Sequence, residues 1–263
     1  MPINETERLQ IMKEIDSYQT SPKFKAKIRE AEGLQASGKT HIGIAEYLLK
    51  NILEPGWSIL ELGCAAGNML RIVRDIYKVH LNSSQKELVG VELVQGWAEW
   101  ANNYFEDIEV YEGDVTHFNL DGHEEFDFVM LNDVIEHIQS SRYGCLFRKL
   151  QEVTHIGSVV YMHIPTPQAQ LIERDQFIEN VVPHHFLISG MSRFGFELVT
   201  LEHDVQTDCG SNLIEYSSND IPRQVRKSRC SMNGWAKYCH MVFRRSSDRR
   251  LFQISPKSQD SGI

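Results

Sequence analysis

The 263-residue sequence predicts an α/β fold: a seven-stranded, mostly parallel sheet with helices on both faces. Three observations carry this. Apolar runs of strand length alternate with longer segments of helical period from about residue 58 onward, several of those runs end on an acid or an asparagine, and the first runs into a glycine turn that opens a helix.

Residues 6–53 are charged and helical in period, with breaks at Ser21-Pro22 and around Ser37-Gly38, and Ile42, Ala45, Tyr47, Leu48 and Leu49 form an apolar stripe suited to packing on a sheet edge. The first strand and its turn are residues 58–69, SILELGCAAGNM. Gly63 and Gly67 allow positive φ and a close backbone approach, and the helix that follows presents unpaired N–H groups, so a ligand is expected at this strand end. Met69, Ile72, Val73 and Ile76 space as a buried helix face, and residues 80–86 are a polar connection. The second strand, residues 88–93, carries Glu92 near its end; after a helix over residues 97–105, the third, residues 108–115, closes with Gly113 and Asp114.

The fourth strand begins at Phe126 and runs into Asn132, Asp133, Glu136 and His137. A helix over residues 143–153 precedes the fifth strand, residues 157–165, which Pro165 stops. Residues 168–180 read as a polar excursion, followed by His184 and His185, a helix from about Ser189 and a sixth strand over residues 195–202. Residues 206–233 are long and polar; Arg223, Arg226, Lys227 and Arg229 within them suit either a solvated loop or a clamp for an anionic group. Residues 235–243 form the seventh strand, and the Ser-, Asp- and Lys-rich tail after it reads as disordered. The partition is a helical extension over residues 1–50, one domain over 51–245 with insertions near 165–190 and 205–234, and a tail over 246–263.

The turn Glu61-Leu62-Gly63-Cys64-Ala65-Ala66-Gly67 resembles motif I of class I S-adenosylmethionine-dependent methyltransferases, with Ala65 where the family usually has its middle glycine. Asp133-x-x-Glu136-His137, the His-x-Phe at 184–186 and Gly195-Phe196-Glu197 are similar to the ubiquinone-biosynthesis O-methyltransferase-like branch, and the resemblance spans residues 40–245. It implies a Rossmann-like sheet of order 3-2-1-4-5-7-6 with the last strand antiparallel and inserted beside the fifth. It also implies S-adenosylmethionine as cofactor, Glu92 as ligand to the ribose hydroxyls, and Asp114 as acceptor for the adenine amino group with Val115 packed on the ring. Glu61, Gly63, Cys64, Ala65, Gly67, Leu93, Asn132 and Asp133 complete the expected cofactor contacts. For Glu92 a solvated strand end, and for Asp114 a plain turn role, stay open. The N-terminal segment, with Tyr18, Lys25 and His41, becomes a candidate lid.

Methyl transfer from a sulfonium requires a nucleophile held in line and a destination for its proton. Asp133, Glu136, His137, His163, His184 and His185 gather where strand ends should meet; His137 and His185 are the candidates for proton removal, although Glu136 and His137 could instead only tie down their loop. No resident metal is expected. The alternative is that Asp133, Glu136 and His137, at i, i+3 and i+4, share one helical turn and bind a metal with His184, as in small-RNA 2′-O-methyltransferases with a comparable Glu-x-x-Glu-His. A non-catalytic S-adenosylmethionine-binding partner subunit is a further alternative, and a nicotinamide dehydrogenase is disfavoured because Gly-x-Gly-x-x-Gly is missing.

The formal charge of −9 disfavours nucleic acid as a partner and favours a small-molecule acceptor. Five scattered cysteines without a Cys-x-x-Cys pair, no apolar run of membrane-spanning length and no signal-peptide profile lead to the expectation of a cytoplasmic protein.

Overall fold

The computed structural model describes residues 39–167, 181–207, 210–216 and 236–247. The expectations for Tyr18, Lys25, the excursion at 168–180, the basic cluster at 223–229 and the tail beyond residue 247 lie outside them.

Helix α1 (Lys39–Asn51) is followed by β1 (Ser58–Leu62), α2 (Asn68–Val79), β2 (Glu87–Glu92), α3 (Gln95–Tyr104), β3 (Glu109–Glu112) and β4 (Phe126–Asn132). Two 3-10 turns, Ile135–His137 and Ser140–Arg142, lead to α4 (Tyr143–Glu152), β5 (Thr154–Pro165), α5 (His184–Arg193), β6 (Phe196–Thr207), β7 (Gly210–Tyr216) and β8 (Ala236–Arg245). The sheet order is β3-β2-β1-β4-β5-β8-β6-β7. β1 to β5 are mutually parallel, and β8 runs antiparallel between β5 and β6. The expected seven strands are therefore present in the order 3-2-1-4-5-7-6, with β8 as the seventh.

β7 is an addition. It pairs antiparallel with the outer edge of β6, Leu201 opposite Tyr216, in a stretch expected to be loop. α5 also starts earlier than expected, at His184 with Pro183 before it, so His184 and His185 lie in a first helical turn.

Alternation along the strands sends side chains to two cores. Ile59, Phe128, Met130 and Tyr161 face α1, α2 and α3 through Leu48, Val73 and Ala101. Leu60, Leu62, Val129, Leu131, Val160 and Met162 face α4 and α5 through Leu146, Leu150, Leu187 and Met191. α1 buries Ile44, Ala45, Tyr47 and Leu48 and so packs on the sheet as its stripe predicts. At the N-terminal ends of the strands Asp127 Oδ2 accepts from Ser58 N–H and Oγ–H, each at 2.8 Å, while Oδ1 lies 3.1 Å from His155 Nε2. This ties β1, β4 and β5 together and leaves their other ends for the site.

Candidate active site

The C-terminal ends of β1, β2, β4 and β5 meet around the glycine turn. β1 lies between β2 and β4, where the sheet changes its direction of growth, the place an open parallel sheet leaves a crevice. Gly63, Ala65 and Gly67 all have positive φ, 74°, 49° and 77°. Ala65 thus takes the left-handed conformation that a glycine would take more cheaply.

The turn's donors are largely used inside the protein. Gly63 N–H and Cys64 N–H donate to Val91 O at 2.7 and 3.3 Å, Gly67 N–H to Cys64 O at 2.9 Å, and Ala65 N–H to Glu92 Oε2 at 2.7 Å. Gly63, Cys64 and Ala65 therefore shape the site and do not supply its hydrogen bonds. The donors without an intrahelical partner are those of Asn68, Met69 and Leu70 at the start of α2. The Cys64 side chain, expected as a cofactor contact, turns into the core: it is buried, and a Cβ built on Gly90 of β2 would lie 2.4 Å from its sulfur. Burial, with Glu92 and Glu61 adding to it, pushes the thiol well up.

Glu92 closes β2, nearly buried, its Oε2 on Ala65 N–H and its Oε1 on Val94 N–H at 2.9 Å. Burial raises its carboxyl, and the backbone donors of Val94, Ala65 and Leu93 only partly oppose that. Each oxygen keeps a second lone pair, as a ribose ligand needs. Leu93 beside it is 44 % exposed, an apolar surface at the mouth.

Asp114, two residues beyond β3, is a turn aspartate and more: Oδ1 accepts from Thr116 N–H and Oγ1–H at 2.9 and 2.8 Å, and Oδ2 pairs with the Arg142 guanidinium. Burial would raise it; Arg142 and Thr116 outweigh that and hold it below the usual carboxylate range. Arg142 was not legible as its partner because the two are brought together only by the 3-10 turn after β4. Val115 is buried next to Asp114.

At the end of β4, Asn132 Nδ2 donates to Glu61 Oε1 at 2.8 Å, and Asn132 Oδ1 is buried with no hydrogen-bond partner among the described residues. A buried acceptor without a donor suits an incoming ammonium group.

Asp133 has φ 53°, a left-handed conformation that aspartate tolerates better than most residues. Its N–H donates to His163 O at 2.9 Å, and its Oδ1 lies 2.7 Å from His163 Nδ1; the Asp133 side chain is 40 % exposed and the His163 side chain only 2 %. Burial would raise Asp133; His163 chiefly, with His41 and His137, holds it below the usual range. Behind His163 lies an aromatic pile: Tyr238 stacks on it at 4.7 Å, His240 meets it edge-on at 5.1 Å, Tyr161 Oη is 2.8 Å from His240 Nδ1, and Tyr47 of α1 stacks on His240 at 4.5 Å. His41, also on α1, lies 3.3 Å from Asn68 Nδ2. α1 thus both packs on the sheet and brings a histidine to the cleft.

The alternative metal arrangement is not formed among the described residues. The chain after β4 is a left-handed Asp133 followed by a 3-10 turn, so the i, i+3, i+4 geometry of an α-helix does not apply; Glu136 is buried whereas His137 is exposed. Among the described residues no group of three or more His, Cys, Asp or Glu side chains, Asp133, Glu136, His137 and His184 included, converges to hold a metal ion. His185 is exposed in the first turn of α5 and makes no hydrogen bond or ion pair among the described residues, whereas the charge of His137 reaches Asp133.

Residues 31–201 match the family model described as a methyltransferase domain. No curated protein matches the chain. Solved structures similar in fold include an S-adenosylmethionine-dependent methyltransferase from Clostridium acetobutylicum, 13 % identical with a TM-score of 0.57, covering 86 % of this chain and 98 % of that one. A TehB-like S-adenosylmethionine-dependent methyltransferase from Corynebacterium glutamicum is 14 % identical with a TM-score of 0.55, covering 85 % and 97 %. A Thermotoga maritima methyltransferase described as a possible histamine N-methyltransferase is 14 % identical with a TM-score of 0.52, covering 78 % and 91 %.

Sheet order, glycine turn and strand-end acids define a class I S-adenosylmethionine-dependent methyltransferase. The chain belongs to the methyltransferase-domain family, whose model matches more than half of it. No helix among the described residues is long and apolar enough to cross a membrane.

Proposed function

We propose that this methyltransferase modifies an oxygen, less readily a nitrogen, of a small-molecule acceptor, in the manner of the ubiquinone-biosynthesis O-methyltransferase-like branch that its Asp133-x-x-Glu136-His137 segment resembles. The observation that supports this is that a row of acceptors at the strand ends stands next to a carboxylate–histidine pair. Glu61, Asn132, Glu92 and Asp114, at or just beyond the ends of β1, β4, β2 and β3, offer acceptors suited to an amino acid, a ribose and an adenine. Asp133, beside them at the end of β4, is bonded to His163 and feels the charges of His41 and His137.

When bound, S-adenosylmethionine supplies an electrophilic methyl carbon on a sulfonium. Asn132 Oδ1 and Glu61 would hold its ammonium end, Glu92 its ribose, and Asp114 with Val115 its adenine. The formal charge of −9 favours a small metabolite over RNA, and the cluster beside Asp133 favours an enzyme over a silent subunit. His137, whose charge is felt at Asp133, stays a candidate for proton removal. The N-methyltransferase description of the Thermotoga structure keeps amines in the test set. Purified protein with labelled S-adenosylmethionine, offered phenols, catechols, hydroxy acids and alkylamines, should transfer label to a hydroxyl compound; transfer only to RNA would overturn the reading.

A further inference from the structure

The feature that the family assignment leaves unused is the pair formed by Asp133 and His163. Two tethers join residues 30 positions apart: Asp133 N–H to His163 O at 2.9 Å and Asp133 Oδ1 to His163 Nδ1 at 2.7 Å. Asn132 and His163 are opposite each other in the β4–β5 register, so β5 brings the imidazole directly to the strand end where the chain turns left-handed. The exposure is asymmetric. The Asp133 side chain is 40 % exposed, and the His163 side chain, 2 % exposed, is stacked on by Tyr238 and met edge-on by His240. A left-handed non-glycine residue held this firmly is the kind of local strain that collects at functional sites.

We propose, resting on the methyltransferase reading above, that Asp133 is the catalytic carboxylate that orients the acceptor and takes its proton, and that His163 is its positioning residue. The acceptor's hydroxyl donates to Oδ2, which leaves Oδ1 on His163 and aims an oxygen lone pair at the methyl carbon. The acceptor oxygen forms the new bond to that carbon, the sulfur keeps the electron pair of the bond that breaks, and the hydroxyl proton passes to Asp133 Oδ2 and from there to water at the exposed edge. Bond formation at the oxygen makes its proton strongly acidic, so a carboxylate of ordinary or lower basicity is a sufficient acceptor, and it stands ionised at neutral pH. This moves the proton-removing role from His137 and His185 to a residue first expected only to touch the cofactor.

The test uses the full chain and five readouts: thermal unfolding, cofactor affinity, kcat, its acid limb and the titration of the Asp133 carboxyl. Asparagine accepts the left-handed conformation, so Asp133→Asn should fold, with a cooperative thermal transition somewhat below that of the wild type because the ion pair with His163 is lost. It should bind S-adenosylmethionine within a few-fold of wild type by calorimetry, and lose about 10²- to 10⁴-fold in kcat on whichever phenol, catechol, hydroxy acid or amine the wild type methylates. His163→Gln should lose less in kcat and leave cofactor affinity unchanged.

The acid limb of kcat should also move to higher pH in His163→Gln, because the imidazole no longer favours the ionised carboxylate. The other titratable groups acting on or near Asp133, His41 from α1, His137 after β4 and Tyr161 from β5, are left in place. In protein without cofactor, the Asp133 carboxyl carbon resonance should titrate below the ordinary aspartate range in wild type and rise in His163→Gln. Full kcat in Asp133→Asn would overturn the catalytic role, as would a loss confined to cofactor affinity; an unmoved carboxyl titration would overturn the positioning role. Wild-type protein that fails to bind S-adenosylmethionine, or binds it and methylates none of these compounds, would instead remove the underlying functional reading.

Discussion

Gly90→Ala probes the floor of the glycine turn. A Cβ at Gly90 would sit 2.4 Å from Cys64 Sγ and 3.2 Å from both Cys64 Cβ and Leu70 Cδ1. The sulfur contact is about 1 Å or more short of the roughly 3.5–4.0 Å at which such atoms attract. Neither neighbour can retreat easily, since Cys64 is pinned by its turn and Leu70 is fully buried in α2. Overpacking of this kind costs about 1–3 kcal/mol, and the upper half is expected here because the obstacle is a short, buried side chain.

Cys64→Ala alone should cost about 1 kcal/mol for the lost buried sulfur. In the double variant the new Cβ occupies the space the sulfur has left, so the two changes should compensate by about 1–2 kcal/mol in a double-mutant cycle. Urea unfolding of the four proteins measures this directly. A strictly additive cycle would mean that Cys64 does not point at β2, and that the inward face of the turn, and so the face left for the cofactor, has been read the wrong way round.

Gly63→Ala combines a left-handed φ of 74° with a Cβ 2.5 Å from Val134 Cγ2, and should destabilise by about 2–4 kcal/mol while lowering cofactor affinity through displacement of the segment carrying Asp133; a loss below 1 kcal/mol by urea unfolding would count against it. The obstruction is thus the protein's own valine, not the cofactor alone. Glu92→Ala should weaken S-adenosylmethionine binding by about 1–3 kcal/mol by calorimetry, and equal affinity would remove Glu92 from the ribose site. Burial would raise Asp127, but Ser58 and His155 together hold it below its ordinary range, so it stabilises the fold above the unfolded value of about 3.9 and that stability is lost as pH falls through the lower folded value. Asp114 and Asp133 act in the same sense, whereas Glu92, raised by burial, favours the fold most at low pH and loses that contribution as pH rises through its folded value. Unfolding free energy measured from pH 6 to 3 should fall less steeply in Asp127→Asn than in wild type; parallel curves would refute the assignment.

The parallel core was legible because apolar runs of strand length alternate with segments of helical period, and Glu92 and Asn132 stand where two of those runs stop. What could not be read depends on register or on a local conformation. Residues 210–216 form an edge strand, and half-polar edge segments carry little alternation. The metal reading of Asp133, Glu136 and His137 assumed an α-helical turn, which the left-handed Asp133 excludes. His163 was visible as a strand-end histidine, but its bond to Asp133 follows from the β4–β5 pairing, and the inward turn of Cys64 depends on a glycine 26 positions later.

The account stands most directly on calorimetric titration of the purified protein with S-adenosylmethionine and, separately, with NAD. Saturable binding of S-adenosylmethionine, weakened in Glu92→Ala and absent for NAD, is the predicted result. Binding of NAD without S-adenosylmethionine would contradict it.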